Sequence, residues 1–157
     1  DTADDAEALV VRPRELQDNA VPSGNAMATT VLQKLARLGA DSAYEALAQR
    51  SLAAMQPLMG RHPLGFAQWL VALDRAVAVP IEVTVIGDLA APDVRALIDI
   101  ARDDYAPHRL LAAGRDEMPP LLGHREQIDG QATAYVCRSN VCQPPVNDPE
   151  VLRQLLD

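Results

Sequence analysis

A chain of 157 residues with 48% apolar and 23% charged residues is long enough to bury a core and too apolar to be disordered. Its net charge of −8 works against binding nucleic acid or anionic lipid, since both call for a basic face. No apolar run approaches the ~20 residues of a membrane span, and the acidic opening DTADDAEA lacks a signal-peptide pattern.

One Phe, one Trp and three Tyr leave a core that has to be aliphatic. Two cysteines do not make a disulfide scaffold for a chain of this size, and a cytoplasmic location is the default expectation. The first residue is not Met, which suits a piece of a longer protein.

Residues 1–21 show no clean period, and an extended lead-in with a short strand at Ala8–Arg12 is expected. From Asn25 the spacing of Met27, Val31, Leu32, Leu35 and Leu38 predicts a helix that Gly39 stops. A second helix follows, with Ser42 and Glu45 as a capping box and an apolar stripe of Tyr44, Leu47, Ala48, Leu52 and Met55. The turn between the two is so short that an antiparallel hairpin is expected. A third helix over 61–77 presents Phe66, Trp69, Leu70, Leu73 and Val77 on one face, with Pro63 at its entry.

After Pro80 the pattern changes. IEVTVIG predicts a strand, APDVRALIDIARDDY a helix facing inward through Val94, Leu97, Ile98 and Ala101, and HRLLAAG a second strand. A Gly- and Pro-rich loop leads to a third strand, ATAYVC. A last helix in NDPEVLRQLL has Asp148 as N-cap and Pro149 at its first position. Strand, helix and strand in that order imply a right-handed parallel unit. The expected class is therefore mixed α and β. A helical hairpin lobe with its lead-in spans 1–79, and a small α/β lobe with a short, mainly parallel sheet spans 80–157.

Three stretches invite a chemical reading. In DNAVPSGNA, Ser23 or Asn25 suits a helix cap and Gly24 allows a positive φ. The alternative is a polar pocket in which Asp18, Ser23, Asn25 and the helix's first amides face a hydroxylated or anionic ligand. VIGDLAAPD joins a strand to a helix but has only Gly87, so no dinucleotide fingerprint or phosphate loop is met; Asp88 and Asp93 suit backbone caps. In CRSNVC four residues separate Cys137 from Cys142, where a thioredoxin-type motif has two. The pair suits two buried structural thiols, a reversible disulfide across a hairpin-like bend, or a metal site that needs further ligands, His124 being nearest. His62, His108 and His124 are scattered at no zinc spacing. No motif calls for a metal or a cofactor, and no catalytic triad or carboxylate pair can be assigned.

The combination of DTADDAEALVVRPRELQDNAVPSGNA near the start and ATAYVCRSNVCQPPVNDPEVLRQLL at the end resembles the YyaL/spermatogenesis-associated protein 20 family. Such proteins carry a thioredoxin-like N-terminal domain followed by an (α/α)6 barrel similar in fold to N-acylglucosamine 2-epimerases and six-hairpin glycosidases. The resemblance implies that the helical hairpin is the last part of that barrel and that the α/β lobe is a C-terminal elaboration. It implies that loop 18–25 rims a pocket for a sugar-like small molecule, with Asp18, Ser23 and Asn25 as ligand contacts. It further implies that the N-terminal domains of the same protein are partners of this part, and that the redox chemistry of the thioredoxin-like domain is not assigned to residues of this chain. The alternative to a carbohydrate-type site is a non-catalytic interaction or redox-linked module in which Cys137 and Cys142 exchange with a thioredoxin-like partner domain. One departure is Ala26, where the family pattern has serine, so no hydroxyl stands there.

Overall fold

A computed structural model describes residues 5, 14–115, 118–139 and 141–157, and these form five helices and a four-stranded sheet. The strand expected at Ala8–Arg12 lies outside the described residues. The helices are α1 (Gly24–Arg37), α2 (Ser42–Arg61), α3 (Ala67–Val77), α4 (Pro92–Arg102) and α5 (Pro149–Leu156). The strands are β1 (Ile81–Ile86), β2 (Arg109–Gly114), β3 (Thr133–Arg138) and β4 (Val141–Cys142). Single 3-10 turns occur at Pro63–Gly65 and Pro120–Leu122. Among the described residues, no helix is long and apolar enough to cross a membrane. The helices come first and the sheet after them, as the class of mixed α and β required.

Two compact units divide the chain. One comprises the described residues up to Ala36 together with Asp41–Val77; the other comprises Arg37–Ala40 together with Ala78–Asp157.

In the helical unit, Leu52, Met55 and Met59 of α2 and Trp69 and Ala72 of α3 form a core with Phe66 and Ala26. Asp41, not Ser42, caps α2: its carboxylate accepts from the Ala43 amide at 2.7 Å. The helix runs on past Met55 to Arg61 with Pro57 inside it. The 3-10 turn at Pro63–Gly65 separates α2 from α3, so the proline opens that turn and not the helix. The face that α1 buries also differs from the expected one. Ala26, Thr29, Thr30 and Gln33 are buried, whereas Met27, Val31 and Leu35 are 43%, 46% and 36% exposed. The polar face can go inside because its donors are met within the unit. The Thr29 and Thr30 hydroxyls donate to the carbonyls of Asn25 and Ala26, and the Gln33 amide donates to the Ala72 carbonyl at 2.9 Å. Gln68 on α3 donates to Thr30 Oγ1 at 3.0 Å, completing a polar seam between α1 and α3.

In the α/β unit the strand order is β2-β1-β3-β4. Only β1 and β2 pair in parallel; β1 with β3 and β3 with β4 are antiparallel. The sheet is thus mixed rather than mainly parallel. The β1–α4–β2 segment makes the parallel crossover, but among its described residues the return from β2 to β3 contains no crossing helix, and it enters β1's other edge from the opposite end. Alternation sorts the side chains. Val83, Val85, Ala134 and Val136 face Val94, Leu97, Ala101 and Leu152 of α4 and α5 in the main core. Ile86, Ala112 and Tyr135 look the other way, onto Leu121, Leu122 and Leu38. Gly39, at φ +83°, is what lets the 37–40 turn lie there, since a Cβ would sit 2.9 Å from Pro120 Cβ. The Leu121 amide donates to the Leu38 carbonyl at 3.1 Å.

Candidate functional site

Loop 18–25 is built from hydrogen bonds to its own unit. Both carboxylate oxygens of Asp18 accept backbone amides: Oδ1 from Ser23 at 2.8 Å, at the entry of α1, and Oδ2 from Gln68 at 2.7 Å, in the first turn of α3. One side chain therefore neutralises orphan donors at two helix N-termini. The buried Ser23 hydroxyl accepts from the Ala26 amide at 3.2 Å, the bond of an N-cap. The Asn25 side-chain amide donates to the Glu15 carbonyl at 2.9 Å. The lead-in is strapped to the Pro63–Gly65 turn and to α3 by two more bonds, Asp18 N–H to the Gly65 carbonyl and Trp69 Nε1–H to the Leu16 carbonyl, both at 2.8 Å. Each Asp18 carboxylate oxygen thus accepts one amide at a helix end, and the Ser23 hydroxyl accepts another. A cavity of about 310 Å³ lies on the lead-in itself, lined by Glu15, Leu16, Gln17, Asp18 and Asn19.

Asp88 and Asp93 act on backbone amides. Asp88 accepts from Ala90 at 3.0 Å, and Asp93 from Val94 at 2.9 Å and from Ala132 at 3.2 Å, tying the start of α4 to the approach of β3. Asp148 caps α5 as expected, accepting from Glu150 at 2.7 Å and Val151 at 3.3 Å.

The second sheet face carries the other candidate. Cys137 on β3 and Cys142 on β4 are directly paired across the strands and joined in a disulfide. They are therefore not two free buried thiols. Cys137 is 2% exposed, whereas Cys142, on the two-residue edge strand, is open to solvent. The turn between them holds Ser139 at φ +50°. Glu82 of β1 is the cross-strand neighbour of Cys137 on its other side. Together with His124 and Arg125 from the 118–126 segment, these residues line a cavity of about 420 Å³. Arg125 Nη2 lies 3.5 Å from Cys137 Sγ, and its guanidinium carbon is 5.8 Å from the centre of the Tyr135 ring. Tyr135 also holds the loop that delivers the arginine: its hydroxyl donates to the Glu126 carbonyl at 2.9 Å and accepts from the Glu126 amide at 3.3 Å. Among the described residues, no three His, Cys, Asp or Glu gather to hold a metal ion. Of the three histidines, His124, at φ +61°, is among the residues that line this cavity.

Arg125, Tyr135 and Glu82 were absent from the sequence-level candidates. Strand alternation alone puts Tyr135 and Cys137 on one face, and that signal was available. The approach of Arg125 depends on the path of a loop with no periodicity.

In class, the chain is a helical unit followed by a small mixed α/β unit that carries one disulfide on its edge hairpin. No family model matches it, and no solved structure does. Among curated proteins it is 28% identical to human spermatogenesis-associated protein 20 over 155 residues, covering 94% of this chain and 20% of the relative. The rat and mouse proteins of that name are 26% and 24% identical over the same extent. The chain is a homologue of these proteins, the relationship its two end motifs implied, and it spans about a fifth of their length.

Proposed function

We propose that this part of the protein is a redox-linked module whose Cys137–Cys142 pair undergoes thiol–disulfide exchange with a dithiol protein, the thioredoxin-like domain implied by the family resemblance being the natural partner. The observation that carries the reading is a disulfide on an edge hairpin, lining a cavity, in which one cysteine is exposed and the other buried. In the cytoplasmic location we propose with it, a disulfide is transient and serves catalysis or sensing, because the thiol pool reduces persistent ones. The short separation of five residues supports the same reading. Closing so small a loop stabilises by only about 2 kcal/mol, so the reduced form keeps its fold. Thiol counting with and without a thioredoxin-class reductant, under native conditions, tests it. Two thiols are expected to appear and disappear reversibly with the far-UV spectrum unchanged. A pair that opens only on unfolding would sink the reading.

A sugar-type site on the helical unit is a second reading, favoured by the polar cavity on the lead-in. Its contacts would be Glu15, Gln17, Asp18 and Asn19, with Ser23 and Asn25 as the scaffold behind them. A thermal-shift panel of mono- and disaccharides is expected to give a response that Glu15→Ala and Gln17→Ala abolish. No response across the panel removes this reading.

A further inference from the structure

We infer that exchange at this disulfide is directional: the incoming thiolate attacks Cys142, and Arg125 stabilises Cys137 as the leaving thiolate. This rests on the exchange reading above and adds the residue that sets its course. Two independent features agree. The first is access, since Cys142 is exposed on the edge strand while Cys137 is buried beneath it. The second is charge. The Arg125 guanidinium stands 3.5 Å from Cys137 Sγ and is held there by the Tyr135 ring and by the two hydrogen bonds between Tyr135 and Glu126. A cation at that distance favours the thiolate form of its neighbour and so makes it the better leaving group. Two other titratable groups line the cavity, Glu82 and His124. The Glu82 carboxylate and the burial of Cys137 both oppose the effect, and Arg125 is the charged group with a direct contact to the sulfur.

The step balances as an ordinary exchange. A thiolate of the partner dithiol forms a bond to Cys142 Sγ, the Cys142–Cys137 bond breaks, and its electron pair leaves on Cys137 Sγ beside Arg125. The partner's second thiol, deprotonated by solvent, then attacks the partner's own sulfur in the mixed disulfide. Cys142 is released as a thiolate that takes a proton from water. The partner dithiol is oxidised to a disulfide, and the Cys137–Cys142 pair is reduced by the same two electrons.

The oxidised chain is treated with glutathione as the monothiol probe, quenched in acid and alkylated. Trypsin cuts after Arg138 and places Cys137 and Cys142 on separate peptides, 126–138 and 139–153. The glutathione adduct is expected on 139–153. Arg125→Gln is expected to slow reduction about tenfold and Arg125→Lys to restore most of the rate. In the reduced Cys142→Ser variant, the absorbance of the Cys137 thiolate is expected to titrate at higher pH when Arg125→Gln is added, which a merely structural arginine would not cause. An adduct on 126–138, or a rate and titration indifferent to Arg125→Gln in a folded variant, overturns the inference while leaving exchange intact. A wild-type pair that glutathione and the thioredoxin-class reductant both leave oxidised overturns the inference and the exchange reading together.

Discussion

Asp18 shows how a residue chosen for its chemistry can be spent on architecture. Its two oxygens hold amides at two helix starts, 2.8 and 2.7 Å away. Removing an N-cap acceptor costs about 0.5–2 kcal/mol, and Asp18→Ala removes acceptors at two helices at once. The expected loss is therefore about 2 kcal/mol in urea unfolding followed by Trp69 fluorescence, with Ser23→Ala costing about half as much. A change under about 0.5 kcal/mol for Asp18→Ala would mean that water replaces both bonds and that the carboxylate is free for a ligand. Asp104 is a different case. It lies on the surface with its side chain against the buried Arg109, which also donates to the Ala101 carbonyl at 2.9 Å near the end of α4. The hydrogen bond from Arg109 holds the Asp104 carboxyl below its ordinary range. A carboxylate whose folded value is depressed stabilises the fold above the unfolded value and loses that contribution as pH falls through the folded one. Asp104→Asn is therefore expected to be slightly less stable than wild type at pH 7, with the difference shrinking below about pH 4 in parallel thermal melts. A difference that grows on acidification would contradict the pairing.

At the scale of elements, α1 separates what a hydrophobic pattern says from what packing does. Its stripe Met27, Val31 and Leu35 is the exposed face, and the polar seam of Thr29, Thr30 and Gln33 is inside. The joint substitution Met27→Ser, Val31→Ser and Leu35→Ser is expected to shift chemical stability by no more than about 0.5 kcal/mol per site, because each side chain keeps much of its surface in solvent. A loss of several kcal/mol would put the stripe back in a core. The existence and order of the five helices and of β1, β2 and β3 were legible because each carries a local signal: a β-branched run for β1, Asp148-Pro149 for α5, the Val94–Leu97–Ala101 spacing for α4. The two-residue β4 was not, because two residues carry no period. The inner face of α1 was not legible. Hydroxyls that bond to their own helix turn lose the polarity that would keep them out, and periodicity does not register this. The antiparallel placement of β3 was equally hidden, because it depends on where a loop of low periodicity re-enters the sheet. Of the candidate site, the cysteine pair was visible and the arginine beside it was not.

On the scale of the whole chain, the two units have separate cores of different character. The α/β core is built around residues with no exposure at all, among them Val83, Val85, Leu97, Ala134, Val136 and Leu152, drawn from two strands and two helices. The helical core relies on Leu52, Met55, Met59, Phe66 and Trp69, two of them flexible methionines. Truncating a buried leucine costs about 2–5 kcal/mol, more where the surroundings cannot collapse into the space. Leu97 sits between α4 and the sheet, where strand backbones are fixed by pairing on both sides of β1, so Leu97→Ala belongs near the upper end of that range. Leu52 has methionine neighbours that can refill part of a cavity, so Leu52→Ala belongs near the lower end. Amide hydrogen exchange resolves the two: Leu97→Ala is expected to accelerate exchange in β1, β3, α4 and α5, and Leu52→Ala to accelerate it, by a smaller factor, in α2 and α3. Reversal of that ranking would show that the methionine-lined core is the more rigid of the two, and that shape rather than side-chain flexibility governs how this chain tolerates a void.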